Sequence, residues 1–266
     1  MAALSVTASF FQKSMEKAQA FHKGQTKSDK KEGSKQERIE HTLRIKSSVA
    51  ERPLHGEDCY ILDDKRGLYA VFDGAGGEAD AKRASSAARD ALSSFDGFNG
   101  IKTDKYWQHS MRSAMRAALI FARDFVNEHG GHGVTTAAVA KIVHNDEGAY
   151  LLIGSAGDSR LMLWREGQVF YETPEQCDTI ERNAIWNYLG GRIDDRNDVV
   201  AATKLQRGDK ILICSDGITG DWDDERLSGA DFANGFTMKT PRQSAERFLV
   251  LSKKRDDKTA IVLFVD

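Results

Sequence analysis

Leu68-Tyr69-Ala70-Val71-Phe72-Asp73-Gly74-Ala75-Gly76-Gly77 joins an unbroken apolar run to an acidic residue and a glycine-rich turn. The run has the length of a buried strand, and glycine at 74, 76 and 77 permits a tight turn with a ligand close to the backbone. Asp73 then stands at a strand end, its carboxylate and the next carbonyl open to an ion. The same order returns in Tyr150-Leu151-Leu152-Ile153-Gly154-Ser155-Ala156-Gly157-Asp158 and in Ile211-Leu212-Ile213-Cys214-Ser215-Asp216-Gly217. Two acidic pairs precede apolar runs instead: Glu57-Asp58 before Cys59-Tyr60-Ile61-Leu62, and Asp256-Asp257 before the run from Thr259 to Val265. Carboxylates gathered at the strand ends of one sheet repel one another and take up protons unless a cation joins them. Mg²⁺ and Mn²⁺ prefer carboxylate, carbonyl and water oxygens, so the pattern points to a metal-dependent enzyme.

Outward from these runs, alternation from Ile39 to Val49 predicts a first strand, followed by strands over 58–63 and 67–73. An alanine-rich helix is expected over 78–94. A longer one over 103–128 places Trp107, Met111, Ala114, Met115, Ala118, Phe121 and Phe125 on one face. Further strands are expected at 134–143, 148–155, 159–164, 168–171, 208–214 and 259–265. A helix over 241–252 has Thr240 as cap and Pro241 in its first turn. Strands follow one another in blocks with a helix pair between them, which implies α+β layers rather than βαβ alternation.

The 266 residues suffice for one large domain or a domain with an appendage. Residues 1–48 hold ten Lys/Arg against five Asp/Glu, a balance of +5, so with a net charge of -2 the remainder carries -7. The expected organisation is a basic N-terminal extension, residues 1–38, ahead of a domain spanning 39–266. In the extension, Leu4, Ala8, Phe11, Met15 and Ala18 suggest a short helix, and residues 23–38 read as a linker. The near-neutral charge gives no reason to expect nucleic acid, and no run reaches the length of a membrane span. Cys59, Cys177 and Cys214 are far apart and form no CxxC, which fits reduced thiols in a cytoplasmic protein. The seven histidines form no metal-ligand spacing.

Gly74-Ala75-Gly76-Gly77-Glu78-Ala79 also fits a dinucleotide fingerprint, but the βαβ context is missing and Asp73 would repel a pyrophosphate. The ordered set of motifs says more. Glu57-Asp58, Asp73 to Gly77, Thr135-Thr136-Ala137, Gly157-Asp158-Ser159-Arg160, Cys214 to Ile218 and Asp256-Asp257-Lys258-Thr259 together resemble the type 2C metal-dependent Ser/Thr protein phosphatases, in particular the bacterial-type members. The resemblance runs from about 39 to 266. It implies a four-layer αββα sandwich, two antiparallel sheets flanked by helix pairs, with two Mn²⁺ or Mg²⁺ ions at one edge. By that resemblance Asp73 bridges the ions, Gly74 offers its carbonyl, Glu57 ligates one ion, and Asp216 and Asp256 ligate the other. Asp58 orients the attacking water, and Asp158 with Asp216 resembles the site of a third, weaker ion. Asp158-Ser159-Arg160 reads equally as a turn closed by an ion pair.

The implied chemistry is attack on phosphorus by water activated between the two cations, with no covalent intermediate. The chain agrees in lacking a Cys-x5-Arg loop, a DxDxT motif and a Walker loop. The implied substrates are phosphoserine and phosphothreonine in proteins, opposing a Ser/Thr kinase. Four departures stand out. The family's phosphate-binding arginine lies four residues before the motif Glu, whereas Arg52 lies five before Glu57. Ala75 stands where many members carry His, and Asp256-Asp257 replaces Asp-Asn, which adds negative charge and should favour metal occupancy. Thr173-Pro174-Glu175-Gln176-Cys177 departs from the family's Thr-x-Asp-His-Ser, and the following flap is short. The alternative is a catalytically silent binding or regulatory module of the same fold. Four acidic ligands at Glu57, Asp73, Asp216 and Asp256 argue against it.

Overall fold

The computed structural model describes residues 43–99, 107–178, 184–190, 199–222 and 225–266. The N-terminal helix and linker expected over 1–38 lie outside these residues. One compact unit, Thr42–Asp266, holds the elements below.

Twelve strands and five helices alternate in blocks among the described residues. The chain runs β1 (Ile45–Arg52), β2 (Cys59–Asp63), β3 (Leu68–Phe72), β4 (Gly74–Ala75), α1 (Glu78–Ser94), α2 (Trp107–His129), β5 (Val134–Thr135), β6 (Ala137–Asn145), β7 (Gly148–Ala156), β8 (Arg160–Arg165) and β9 (Gln168–Glu172). It continues through β10 (Val199–Lys204), β11 (Lys210–Cys214), α3 (Asp216–Thr219), α4 (Gly229–Phe236), α5 (Pro241–Leu251) and β12 (Lys258–Val265). Two five-stranded antiparallel sheets form, ordered β1-β12-β11-β8-β9 and β10-β7-β6-β3-β2, with a two-stranded β4-β5 beside them. After β3 the chain passes through two helices and returns antiparallel in β6, so the dinucleotide fingerprint lacks the parallel unit it needs.

Period-two alternation builds the layers. In β3, Tyr69 and Val71 face the other sheet, where they meet Leu161, Ile213, Ile261 and Leu263. Leu68, Ala70 and Phe72 point the opposite way, onto Ala84, Ala88, Met111 and Met115 of α1 and α2. In the other sheet, Leu212, Ala260, Val262 and Phe264 face Phe232, Phe236 and Phe248 of α4 and α5. The central strands therefore serve two cores, and the result is the four-layer αββα sandwich. Full burial of each large apolar side chain contributes about 1.5–3 kcal/mol, so apolar residues on both faces of a strand are what the layering needs.

The helices follow their sequence signals closely. Thr240 caps α5 by accepting from the Gln243 backbone N–H, and Pro241 opens the helix. On α2, Trp107, Met111, Met115, Ala118, Ala122 and Val126 form the buried row. Phe121 was expected on that face, yet it is 41% exposed and flanks Phe95 at the rim. The expected strand 134–143 is broken at Thr136, whose hydroxyl and backbone N–H both bond the main chain of Asp73. The edge strand β10 and the helix α4 carry no clear periodic signal and were not expected.

Gly74 lies where α1 crosses the strand end, and a Cβ there would overlap the Ala81 carbonyl oxygen. Gly74→Ala is therefore expected to destabilise the protein by about 2 kcal/mol through forced displacement of α1, as read from urea denaturation midpoints.

Candidate active site

Five segments from both sheets end at one edge of the sandwich. β3 delivers Asp73, and the turn between β7 and β8 delivers Asp158. β11 runs into Asp216 at the start of α3. Glu57 and Asp58 precede β2, and Asp256 and Asp257 precede β12. Glycine at 217 lets α3 lie against the strand entry, since a Cβ there would overlap the Asp257 carbonyl. Residues some 200 positions apart in the chain thus meet.

Asp257 holds the loop before β2. Its Oδ1 accepts the backbone N–H of Leu54 and, at 2.7 Å, of His55, and its Oδ2 accepts that of Glu57 at 2.6 Å. Burial works against its charge, but these donors prevail and hold the carboxyl down at about 2. The carboxylate of Asp257, which stands in place of the usual Asn, is thus engaged by the main chain of the Glu57 loop. Glu57 is half-buried, and its carbonyl accepts the Ser85 hydroxyl at 2.6 Å.

Asp58 is clamped from the other sheet. Its Oδ2 accepts Thr259 Oγ1 at 2.6 Å and Ser215 Oγ at 2.8 Å. Among the described residues its Oδ1 is buried with no hydrogen-bond partner, as is Oδ1 of Asp216. Burial pushes Asp58 up to about 7, against those two hydroxyls and with added repulsion from Asp216. Burial and then Asp216 push Asp158 up to about 8. Asp73 is driven well above the usual carboxylate range by desolvation, then by Asp58 and Asp216, and its carboxyl lies within hydrogen-bond reach of Asp216. Two carboxylates approach so closely only with a proton or a cation between them. Two orphaned buried oxygens, a shared Asp73–Asp216 contact and an all-oxygen donor set fit a hard divalent cation.

One cation of the protein's own is already in the cluster. The Lys254 ammonium pairs with Asp216 Oδ2, with Asp221 Oδ2 at 2.9 Å and with Asp256 Oδ2 at 3.0 Å. Burial disfavours its charge, but the three aspartates outweigh burial and raise its pKa, with Asp216 foremost. Among the described residues, no three His, Cys, Asp or Glu side chains stand in ready ligand geometry about one point. Neither Lys254 nor Asp221 was singled out from sequence. A lysine two residues before the motif Asp256 was the available signal.

A cavity of about 10 Å³, room for one water or ion, lies among Asp158, Glu175, Cys177, Asp216 and Asp221. Arg160 does not close a turn with Asp158. It pairs with Glu172 at 2.8 Å and Glu175 at 3.0 Å, and Arg226 also joins Glu175. Gln176, within the divergent 173–177 segment, accepts the Gly157 N–H at 2.8 Å and so fixes the Asp158 turn. Arg52 is exposed at the end of β1, in register with Lys258 beside the Asp256 loop.

The family model for protein phosphatase 2C matches residues 15–177, more than half of the chain, and the chain belongs to that family. Its enzyme class is protein-serine/threonine phosphatase. Similar solved structures include a serine/threonine phosphatase of S. agalactiae (TM-score 0.66, 20% identity, 84% of this chain and 100% of that one). PppA, described as a key regulatory component of T6SS in Pseudomonas aeruginosa, has a TM-score of 0.65 at 20% identity over 84% and 98%. The catalytic domain of the serine/threonine phosphatase PstP, in complex with two manganese ions, has a TM-score of 0.64 at 23% identity over 84% and 99%. At these identities the likeness carries the fold. Comparison with curated proteins gives no match.

Proposed function

We propose that the chain is a metal-dependent protein serine/threonine phosphatase that hydrolyses phosphomonoesters without a covalent intermediate. The observation that carries this reading is the meeting of Asp58, Asp73, Asp158 and Asp216 at one edge of the sandwich, with Oδ1 of Asp58 and of Asp216 buried and unpartnered among the described residues. Asp73, the Gly74 carbonyl and Glu57 would hold one Mn²⁺ or Mg²⁺, and Asp73, Asp216 and Asp256 the other. Asp158 with Asp216 would take a third, weaker ion beside the small cavity. Bound there, the ions supply an activated water and offset charge on the phosphoryl oxygens.

The protein's own groups do the rest. Asp58, fixed by Ser215 and Thr259, presents its free Oδ1 to orient the attacking water and receive its proton. Arg52, exposed at the mouth, binds the substrate phosphate. Ala75 offers no acid for the leaving group, so solvent supplies that proton. The phosphatase unit spans 39–266 behind the basic extension 1–38. Its substrates are phosphoproteins of a Ser/Thr kinase, in the cytoplasm, where the free thiols of Cys59, Cys177 and Cys214 would stay reduced. No helix among the described residues is long and apolar enough to cross a membrane.

Hydrolysis of p-nitrophenyl phosphate is the test. Turnover is expected with millimolar Mn²⁺ and is expected to disappear in EDTA. A second reading, a silent binding module, draws support from the Lys254 ammonium seated among the candidate ligands. It requires no turnover with either metal, while a phosphopeptide would still bind.

A further inference from the structure

The three N–H donors of an ammonium group match the three carboxylates around Lys254 one for one. Its side chain is 13% exposed, and those of Asp216 and Asp221 are 14% and 8% exposed, so these three charges are largely out of water, while Asp256 at 33% keeps contact with solvent. Both oxygens of Asp256 are engaged, Oδ2 by Lys254 and Oδ1 by the Asp257 backbone N–H at 2.8 Å. Asp216 is divided: Oδ2 faces Lys254, while Oδ1 is buried with no hydrogen-bond partner among the described residues. The ammonium therefore stands on the side where Asp216 and Asp256 would share an ion. The groups proposed for the other ion, Asp73, the Gly74 carbonyl and Glu57, lie outside this three-carboxylate set.

We propose that Lys254 is a tethered cation that competes with the divalent ion of the Asp216–Asp256 side, so that this protein holds one ion tightly and the other weakly. This rests on the reading of the site as a two-ion centre. The ammonium keeps Asp216, Asp221 and Asp256 together before any ion arrives, and it must swing out before Asp256 can ligate one. Like charges a few ångströms apart in a partly desolvated site repel strongly enough to set affinity.

The test is Mn²⁺ binding to the full chain, followed by isothermal titration calorimetry and by the electron spin resonance of free Mn²⁺. Wild type, Lys254→Met and Lys254→Ser are compared. Wild type is expected to take up one ion tightly and one weakly. Both variants are expected to bind the weaker ion at least about tenfold more tightly, with the tighter ion little changed. Equal or weaker binding of both ions in the variants would overturn the proposal. Circular dichroism in EDTA and in Mn²⁺ follows folding. A variant that loses structure in EDTA and regains it with Mn²⁺ supports the proposal, because the ion then replaces the ammonium. Variants that stay unfolded even in Mn²⁺ would overturn it. The binding comparison does not depend on turnover. If wild type binds ions but hydrolyses nothing, the enzymatic reading falls and the competition stands. If variants bind as wild type does while hydrolysis persists, only the competition falls.

Discussion

Asp73→Asn lowers manganese-dependent hydrolysis of p-nitrophenyl phosphate on the order of 10³-fold, with the fold intact. Asp73 is the one carboxylate placed to touch both halves of the proposed centre: its neighbours include Asp58, Asp158 and Asp216. An amide removes the charge that would bridge two cations and halves the number of oxygens offered. The substitution should not harm folding without metal. Desolvation and the surrounding aspartates already disfavour a charged Asp73, so a neutral isostere relieves repulsion. The melting temperature in EDTA is therefore expected to equal or exceed that of the wild type. Retention of a tenth or more of the activity would remove Asp73 from the centre, and a lower melting temperature in EDTA would show that its charge is structural.

The second large effect belongs to a residue with no proposed contact to substrate or metal. Asp257→Ala is expected to destabilise the protein by about 3 kcal/mol, because several main-chain donors of residues 54–57 lose a charged acceptor together. Water reaches part of this exposed loop and keeps the loss below the sum of the individual bonds. Asp257→Asn keeps one carbonyl acceptor and should lose roughly half as much. Urea denaturation of the three proteins in EDTA reads the difference. The sign of the pH dependence follows from the depressed pKa of about 2. The stabilisation is present above the ordinary carboxylate range near 4 and is lost as pH falls through about 2. A variant as stable as wild type would show that the loop is held by other contacts.

Much of the scaffold could be read from residue order alone, for a physical reason. Runs such as Leu68–Phe72 and Lys210–Cys214 are apolar at every interior position because each face of the strand meets a different core, and that demand appears directly as composition. Thr240-Pro241 is equally local, since a cap and a helix start involve only neighbours. β10 was not legible. Its residues Val199 to Thr203 are only half-buried at a sheet edge, so neither alternation nor a solid apolar run is required of them. The break at Thr136 was also hidden, because its cause is a contact with Asp73, 63 positions away.

The candidate site divides in the same way. The acidic residues at strand ends were the legible signal for a candidate cation centre, since gathered like charges need a remedy. The arrangement of Asp58, Asp73, Asp158 and Asp216 follows from that reading. What sequence could not supply was the use of each oxygen. Nothing local distinguishes Asp256, paired with Lys254, from Asp257, bonded to a distant loop. Lys254 was hidden for a related reason: its partners Asp216 and Asp221 lie more than thirty positions away.

The two strands that deliver Asp73 and Asp216 belong to opposite sheets, so the gap between those carboxyls is set by whatever separates the sheets. The spacer is the layer containing Val71, Ile213 and Ile261. Altering its thickness by a methylene would act as a shim, sliding one jaw of the centre against the other without touching a single polar atom. The spacing of the candidate site therefore has a mechanical route of adjustment, through greasy residues of the layer between the sheets.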